Sequence, residues 1–200
     1  MDKLLIKLAE MYITLLPVIL AGVFNMIWCK LSICDFLKKP IDSGFHIWDG
    51  RRLFGENKTW KGFLGMILGG AFFTILWGLI CNANPFLNAH NYIYITKENT
   101  VLYNTLMGVV LGFAYALFEL PNSFIKRRMN INPGKTTEGI KKPIFVFMDQ
   151  ADSIFGCVLV VSMVYPMSIK FYFIYVLIGA LTHLIFNILL YFLKLRKNMF

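Results

Sequence analysis

Residues 143–167 read PIFVFMDQADSIFGCVLVVSMVYPM, and Asp149 and Asp152 are the only charged residues among them. About 20 mostly apolar residues make a helix long enough to cross a bilayer. The stretch therefore reads as a spanning helix that carries an acidic pair. Four more runs have the same character: Met11 to Cys29, Gly62 to Cys81, Val101 to Leu120 (charged only at Glu119) and Phe171 to Leu193. Between the last two of the five runs, Pro166 to Lys170 leaves room only for a tight turn. The whole chain is 58% hydrophobic and 16% charged, with mean hydropathy +0.62. Soluble domains carry about 25% charged residues, so this is a chain dissolved in lipid. The expected fold is all-α: a polytopic integral membrane protein with five transmembrane helices and two long cytosolic loops. No linker, internal repeat or low-complexity segment divides it, so residues 1–200 read as a single membrane-embedded domain. The first run is longer than a signal-peptide core and no small-residue cleavage site follows it, so it is expected to be a retained span.

A net charge of +9 raises the question of nucleic acid. The distribution answers it. With five spans, the first and third loops and the tail share one side and hold sixteen Lys and Arg, against four on the other side. Basic residues concentrate on cytosolic loops. The amino terminus is therefore expected outside and the carboxyl terminus in the cytosol of a multi-pass cell-membrane protein, with no nucleic-acid partner. The four cysteines lack metal-ligand spacing, and Cys29, Cys81 and Cys157 lie in apolar runs, so they read as packing residues.

Asp149 and Asp152 are three apart and share a helix face. Asp149 lies six residues from Pro143, about 9 Å along the axis. Carboxylates at that depth face a polar cavity or a partner. Two of them can hold Mg²⁺, which takes one or two carboxylates plus substrate phosphates. The alternative is a salt bridge to Lys126, Arg127 or Lys61. Glu119 is either a third acidic ligand or a charge at a helix end. Lys126, Arg127 and Arg128 can neutralise a polyphosphate or anchor the loop at the membrane surface. Arg51 to Gly62 precedes a helix, where backbone N–H groups and Lys favour phosphate. An interfacial anchor would look the same. A P-loop is excluded: Met129 stands where Gly134-Lys135-Thr136 would need glycine, and Asn57 precedes Lys58. His183 and Asn187 are four apart on the last span, as in an interhelical hydrogen-bond cluster.

Three motifs occur in order. The first is Pro40-x-Asp42-x-Gly44, Gly50-Arg51 and Phe54-Gly55-x-Asn57-Lys58-Thr59-Trp60-Lys61-Gly62. The second is Glu119-x-Pro121-Asn122-Ser123-Phe124-x-Lys126-Arg127-Arg128, and the third is Asp149-Gln150-x-Asp152. Over most of its length the chain resembles the CDP-archaeol synthase family of membrane cytidylyltransferases, which is related to the phosphatidate cytidylyltransferases. It lacks the His-Gly-Gly element of the latter, and Glu56-Asn57 stands where archaeal members often carry Asp-Gly.

The resemblance implies that a membrane lipid phosphate, archaetidic-acid-like or phosphatidate-like, attacks the α-phosphorus of CTP and releases pyrophosphate. It implies Mg²⁺ on Asp149 and Asp152, with Glu119 as a possible third ligand. Lys126, Arg127 and Arg128 would bind phosphates, and Ser123 would donate to one. Asn57, Lys58, Thr59, Trp60 and Lys61 would form the other wall, with Trp60 stacked on cytosine. A small transporter using Asp149, Asp152 and His183 as an ion path, or a structural subunit without activity, are the competing classes. The sequence leaves the oligomeric state open. Tag-accessibility labelling of intact cells is expected to leave a carboxyl-terminal tag unlabelled; a labelled tail overturns the orientation.

Overall fold

The computed structural model describes residues 3–135, 137 and 139–194. The tail cations Arg196 and Lys197, and Thr136, lie outside the described residues. Helix α1 spans Lys3–Lys30, α2 Trp60–Ala83, α3 Pro85–Ala89, α4 Val101–Arg128, α5 Lys142–Val164 and α6 Ile169–Phe192. Among the described residues there is no strand, and every helix but α3 is long and apolar enough to cross a membrane. The all-α architecture with five spans is as expected.

Hydroxyl side chains begin three of the spans. Thr59 accepts from Gly62 N (3.2 Å), Thr100 from Tyr103 N (3.2 Å) and Ser168 from Phe171 N (3.2 Å). Each supplies one acceptor to backbone donors that the first helical turn leaves unpaired. Helix α5 ends at Val164 because Pro166 drives Tyr165 into an extended conformation. The third span differs from the reading of the sequence. It does not stop at Leu120 but runs through Pro121 to Arg128. Lys126, Arg127 and Arg128 then occupy the last turn, where cations favour the carbonyl end of the helix. The segment expected to open the third loop is thus the last two turns of α4.

The spans pack in a row: α1 on α2, α2 on α4, α4 on α5, α5 on α6. The row curls, so α1 and α6 stand at its two ends. They meet where Tyr12 Oη donates to Thr182 Oγ1 (2.9 Å) and Tyr175 Oη to the Met11 carbonyl (2.8 Å). The α2–α4 seam is backbone against backbone. A Cβ on Gly108 would sit 2.4 Å from the Gly70 carbonyl, and one on Gly112 would sit 2.4 Å from the Met66 carbonyl. Small residues at i and i+4 allow this approach, which supplies dispersion contact where lipid offers no hydrophobic drive. Helix α5 lies innermost, with 61% of its span buried against 33% for each of the others.

At the end of the bundle opposite the first loop, Tyr92 is buried and stacks on Tyr165 with centroids 4.4 Å apart. Its backbone N–H donates to Thr14 Oγ1 (3.0 Å), which ties the 84–100 connection across α1 and the α5–α6 turn. Gly112→Leu is expected to force α2 from α4 and to lower stability by about 1–3 kcal/mol. Thermal unfolding in detergent, followed by size-exclusion fluorescence, checks this; an unchanged midpoint would contradict the seam.

Candidate functional site

Continuing α4 through Pro121 sets Glu119, Asn122, Ser123 and Lys126 at i, i+3, i+4 and i+7. They share one stripe, and it faces α5. Asn122 Nδ2 donates to Asp149 Oδ1 (2.7 Å) and to Asp152 Oδ2 (2.8 Å), so one amide bridges both carboxylates. Lys126 Nζ lies 2.5 Å from Asp149 Oδ2. Asp152 Oδ1 also accepts from Ser153 N (2.6 Å). Asp152 is buried and Asp149 is partly open.

The first loop reaches this stripe from the other side. Gly55 N donates to Ser123 Oγ (3.1 Å), and Lys58 pairs with Glu119. Burial alone would lower the Lys58 pKa. The surrounding carboxylates, Glu119 first and then Asp152 and Asp149, outweigh it and hold the ammonium above its ordinary value.

A cavity of about 620 Å³ opens between these elements. Its mouth is polar, with Asn57, Lys58, Lys126, Arg127, Asp149 and Asp152. Between the two ends of the row it continues as an apolar groove, lined by Leu15, Val18 and Val23 of α1 and Ile178, Phe186 and Leu190 of α6. The Tyr12–Thr182 contact also lines this part.

Asp42 organises the loop. Its carboxylate accepts from Gly44 N (3.0 Å), Phe54 N (3.0 Å) and Arg52 Nη2 (2.6 Å). Burial pushes its pKa up, but the Arg52 guanidinium and the two backbone donors hold it below the usual carboxylate range. The loop is then clasped to the end of α4. Arg51 donates to the Arg128 carbonyl, Arg128 Nη2 to the Arg52 carbonyl (2.5 Å), and Arg128 Nε lies 2.7 Å from Asp49.

Of the residues expected at the site, Asp149, Asp152, Glu119, Asn57, Lys58, Ser123, Lys126 and Arg127 line the cavity. Four do not. Thr59 is the cap of α2. Trp60 packs edge-on against Phe63 and is 42% exposed on the helix exterior. Lys61 is fully buried; its ammonium is committed to the Leu31 carbonyl (2.5 Å) and Asp35 (3.2 Å) and lies over Trp28. Arg128 serves the loop clasp and lies over Phe124. Thr59, Trp60 and Lys61 share a reason: once α2 begins at Trp60, its first turn points these side chains around the helix rather than along the loop; Arg128 instead ends α4, where the loop meets it.

Glu119 lies within α4 rather than at its end; it pairs with Lys58, whose ammonium the Asp152 and Asp149 carboxylates also surround. Among the described residues no three His, Cys, Asp or Glu side chains converge on a metal-sized point. Asn122 was not among the expected site residues. Its place four before Lys126 and three after Glu119 would have marked it, had the helix been continued through Pro121. Cys29 lines the cavity, whereas Cys81 and Cys157 are buried. The expected hydrogen-bond cluster on α6 is present: His183 Nδ1 donates to the Gln150 carbonyl (3.1 Å), and Asn187 donates to the Gln150 side chain.

A family profile described as CarS-like, CDP-archaeol synthase, matches residues 3–200. The chain belongs to the CDP-archaeol synthase family. It is therefore a membrane enzyme of the nucleotidyltransferase class. A CDP-archaeol synthase of Methanocaldococcus jannaschii is 29% identical over 157 residues, 78% of this chain and 81% of that protein. One from Pyrobaculum islandicum is 30% identical over 162 residues, 81% and 82% of the two chains. A solved intramembrane enzyme for archaeal membrane lipids biosynthesis shares the fold, with TM-score 0.60 and 22% identity over 88% of this chain and 92% of that one.

Asp42→Asn removes the charge that pairs with Arg52 and is expected to loosen the loop by about 1–3 kcal/mol. Hydrogen exchange at Gly44 and Phe54 should accelerate. Because the folded pKa of Asp42 is depressed, its contribution is present above the unfolded value of about 3.9. It is lost as pH falls through the lower folded value. Wild-type protection of these amides should therefore persist at pH 5 and fail in stronger acid. Equal exchange in variant and wild type would remove the organising role.

Proposed function

We propose that this chain transfers CMP from CTP to a lipid phosphomonoester with ether-linked tails, giving a CDP-activated lipid and pyrophosphate. One observation carries the reading: a single cavity joins cations and a carboxylate pair at its mouth to an apolar groove between α1 and α6. A nucleotide triphosphate suits the first part and lipid tails suit the second. The relatives designated CDP-archaeol synthase support the ether lipid over a phosphatidate-like one. Two further parts of the proposal are that the amino terminus lies outside and that the mouth of the cavity faces the cytosol.

In this reaction an oxygen of the lipid phosphate bonds to the α-phosphorus. The bond from that phosphorus to the oxygen bridging to the β-phosphate breaks, and pyrophosphate leaves with the electron pair. Both reactants are anions, so positioning and charge neutralisation decide the rate. Lys126 and Arg127 would take the triphosphate from one wall, and Lys58 with Asn57 from the other. Ser123 Oγ accepts from Gly55 N, which leaves its own hydroxyl proton to donate to a phosphate. Thr59, Lys61 and Arg128 would act through the loop they hold.

The donor set fits Mg²⁺. Asp149 and Asp152 present two carboxylates from one helix face, and Mg²⁺ completes its shell with substrate phosphates and water. When bound, the ion would withdraw charge from the phosphates. Lys126 and Asn122 balance the carboxylates otherwise.

Asp149→Asn is expected to cut CDP-lipid formation about 100-fold or more while the protein stays folded in detergent. Wild-type turnover in this variant would end the metal role. Purified enzyme with labelled CTP, Mg²⁺ and either dialkyl- or diacylglycerol phosphate tests the reaction. Pyrophosphate release with the dialkyl substrate is the expected result; no product from either lipid overturns it.

A further inference from the structure

Leu31, Ile33 and Phe36, on the loop that follows α1, are 43%, 56% and 71% exposed. Their neighbours show what surrounds them. Leu20, Phe24, Ile27 and Leu31 recur at i, i+4, i+7 and i+11, as an exposed apolar stripe on the outside of α1. Leu31 N donates to the Ile27 carbonyl (3.2 Å), so the stripe continues past the last residue of the helix. Trp60, Leu64 and Leu68 make a matching exposed stripe at the start of α2. Residues 31–39 are tied to the first turn of α2 at both ends. Lys61 Nζ donates to the Leu31 carbonyl (2.5 Å), and Trp60 N donates to the Lys39 carbonyl (3.0 Å). The segment therefore lies level with the ends of two spans, where hydrocarbon gives way to headgroups and tryptophan concentrates.

Its charge fits the same place. Lys30, Lys38 and Lys39 are exposed and flank the apolar residues. Asp35 is the only acid from 30 to 39, and Lys61 (3.2 Å) meets it as well as Lys38 (2.8 Å). The segment thus carries a surplus of cations beside its exposed apolar side chains. Apolar groups that enter the acyl boundary and cations that meet anionic headgroups reinforce each other. Lys30 also lines the cavity, so the segment adjoins the mouth.

We propose that residues 31–39 dock on the anionic headgroup layer of the bilayer beside the cavity mouth, with Leu31, Ile33 and Phe36 at the acyl boundary and Lys38 and Lys39 on lipid phosphates. Anionic lipids held there stand at the edge of the cavity and share the charge of the lipid phosphate it is proposed to take. The docking goes beyond the transfer reaction and does not depend on it.

A nitroxide at position 36 reads the docking without turnover. The full-length chain carries Phe36→Cys with Cys29→Ser and Cys34→Ser, while Cys81 and Cys157 are buried. It is reconstituted in vesicles of phosphatidylcholine alone or mixed with phosphatidylglycerol. The label is expected to meet oxygen dissolved in the lipid more readily than a neutral, aqueous nickel chelate. Its nickel accessibility should fall about threefold when phosphatidylglycerol is present, because each lysine adds attraction toward an anionic surface. Lys38→Gln together with Lys39→Gln should abolish that fall. Ile33→Cys, labelled in the same way, repeats the reading from a second position. A label more open to nickel than to oxygen overturns the docking. So does dipolar broadening between labels, which means that a second copy covers the patch. Equal nickel accessibility in both vesicle types with the native lysines overturns the anionic headgroup as occupant. An enzyme inactive on every lipid tested would defeat the proposed reaction and leave this result standing.

Discussion

Two carboxylates three residues apart on a membrane helix cannot remain bare. Their charged forms lose most of their hydration in a bundle interior, and nearby opposite charge or hydrogen-bond donors must replace it. Here one amide does much of this. Asn122 reaches both Asp149 and Asp152, while Lys126 takes the outer oxygen of Asp149. Both partners sit on the stretch of α4 that continues beyond Pro121. The position of α4 against α5 is therefore set by electrostatic need at one end. Along the rest of its length it is set by close packing, with Gly156 of α5 against the Ala114 carbonyl.

The same stripe on α4 recruits the first loop. Glu119 takes Lys58, and Ser123 takes the Gly55 amide. A loop of nearly thirty residues between α1 and α2 would otherwise have little reason to lie over the cavity. Asp42 gives it internal order by satisfying two backbone amides and Arg52 at once. The Arg51–Arg128 clasp joins its tip to α4. Charge is thus used in two ways. The acidic pair and its partners make a polar mouth, and the loop cations and their partners hold the wall that faces it.

The row of spans explains the other half of the cavity. Each of α2, α4 and α5 has neighbours on two sides, but α1 and α6 end the row and touch at a few side chains. What remains between them is lined by aliphatic and aromatic residues and leads directly to the acidic pair. A chemistry that must bring a polar nucleotide to an apolar lipid needs both surfaces in one space, and the open row provides them.

Five apolar runs, the excess of basic residues on one set of loops and the Asp149–Asp152 spacing determine the fold class and the focus of the site from sequence alone. Those features depend on composition and on a helical period that holds whatever the helix packs against. The tertiary structure decided which polar residues meet. Pro121 looked like a terminus, because proline removes a backbone donor, yet the turns after it are held by contacts made from α5 and the first loop. Asn122 thereby became the bridge between the acids, Glu119 a partner of Lys58, and Lys61, Trp60 and Arg128 structural supports away from the cavity. Such assignments depend on which face of each helix meets a neighbour distant in sequence, and local pattern does not encode that.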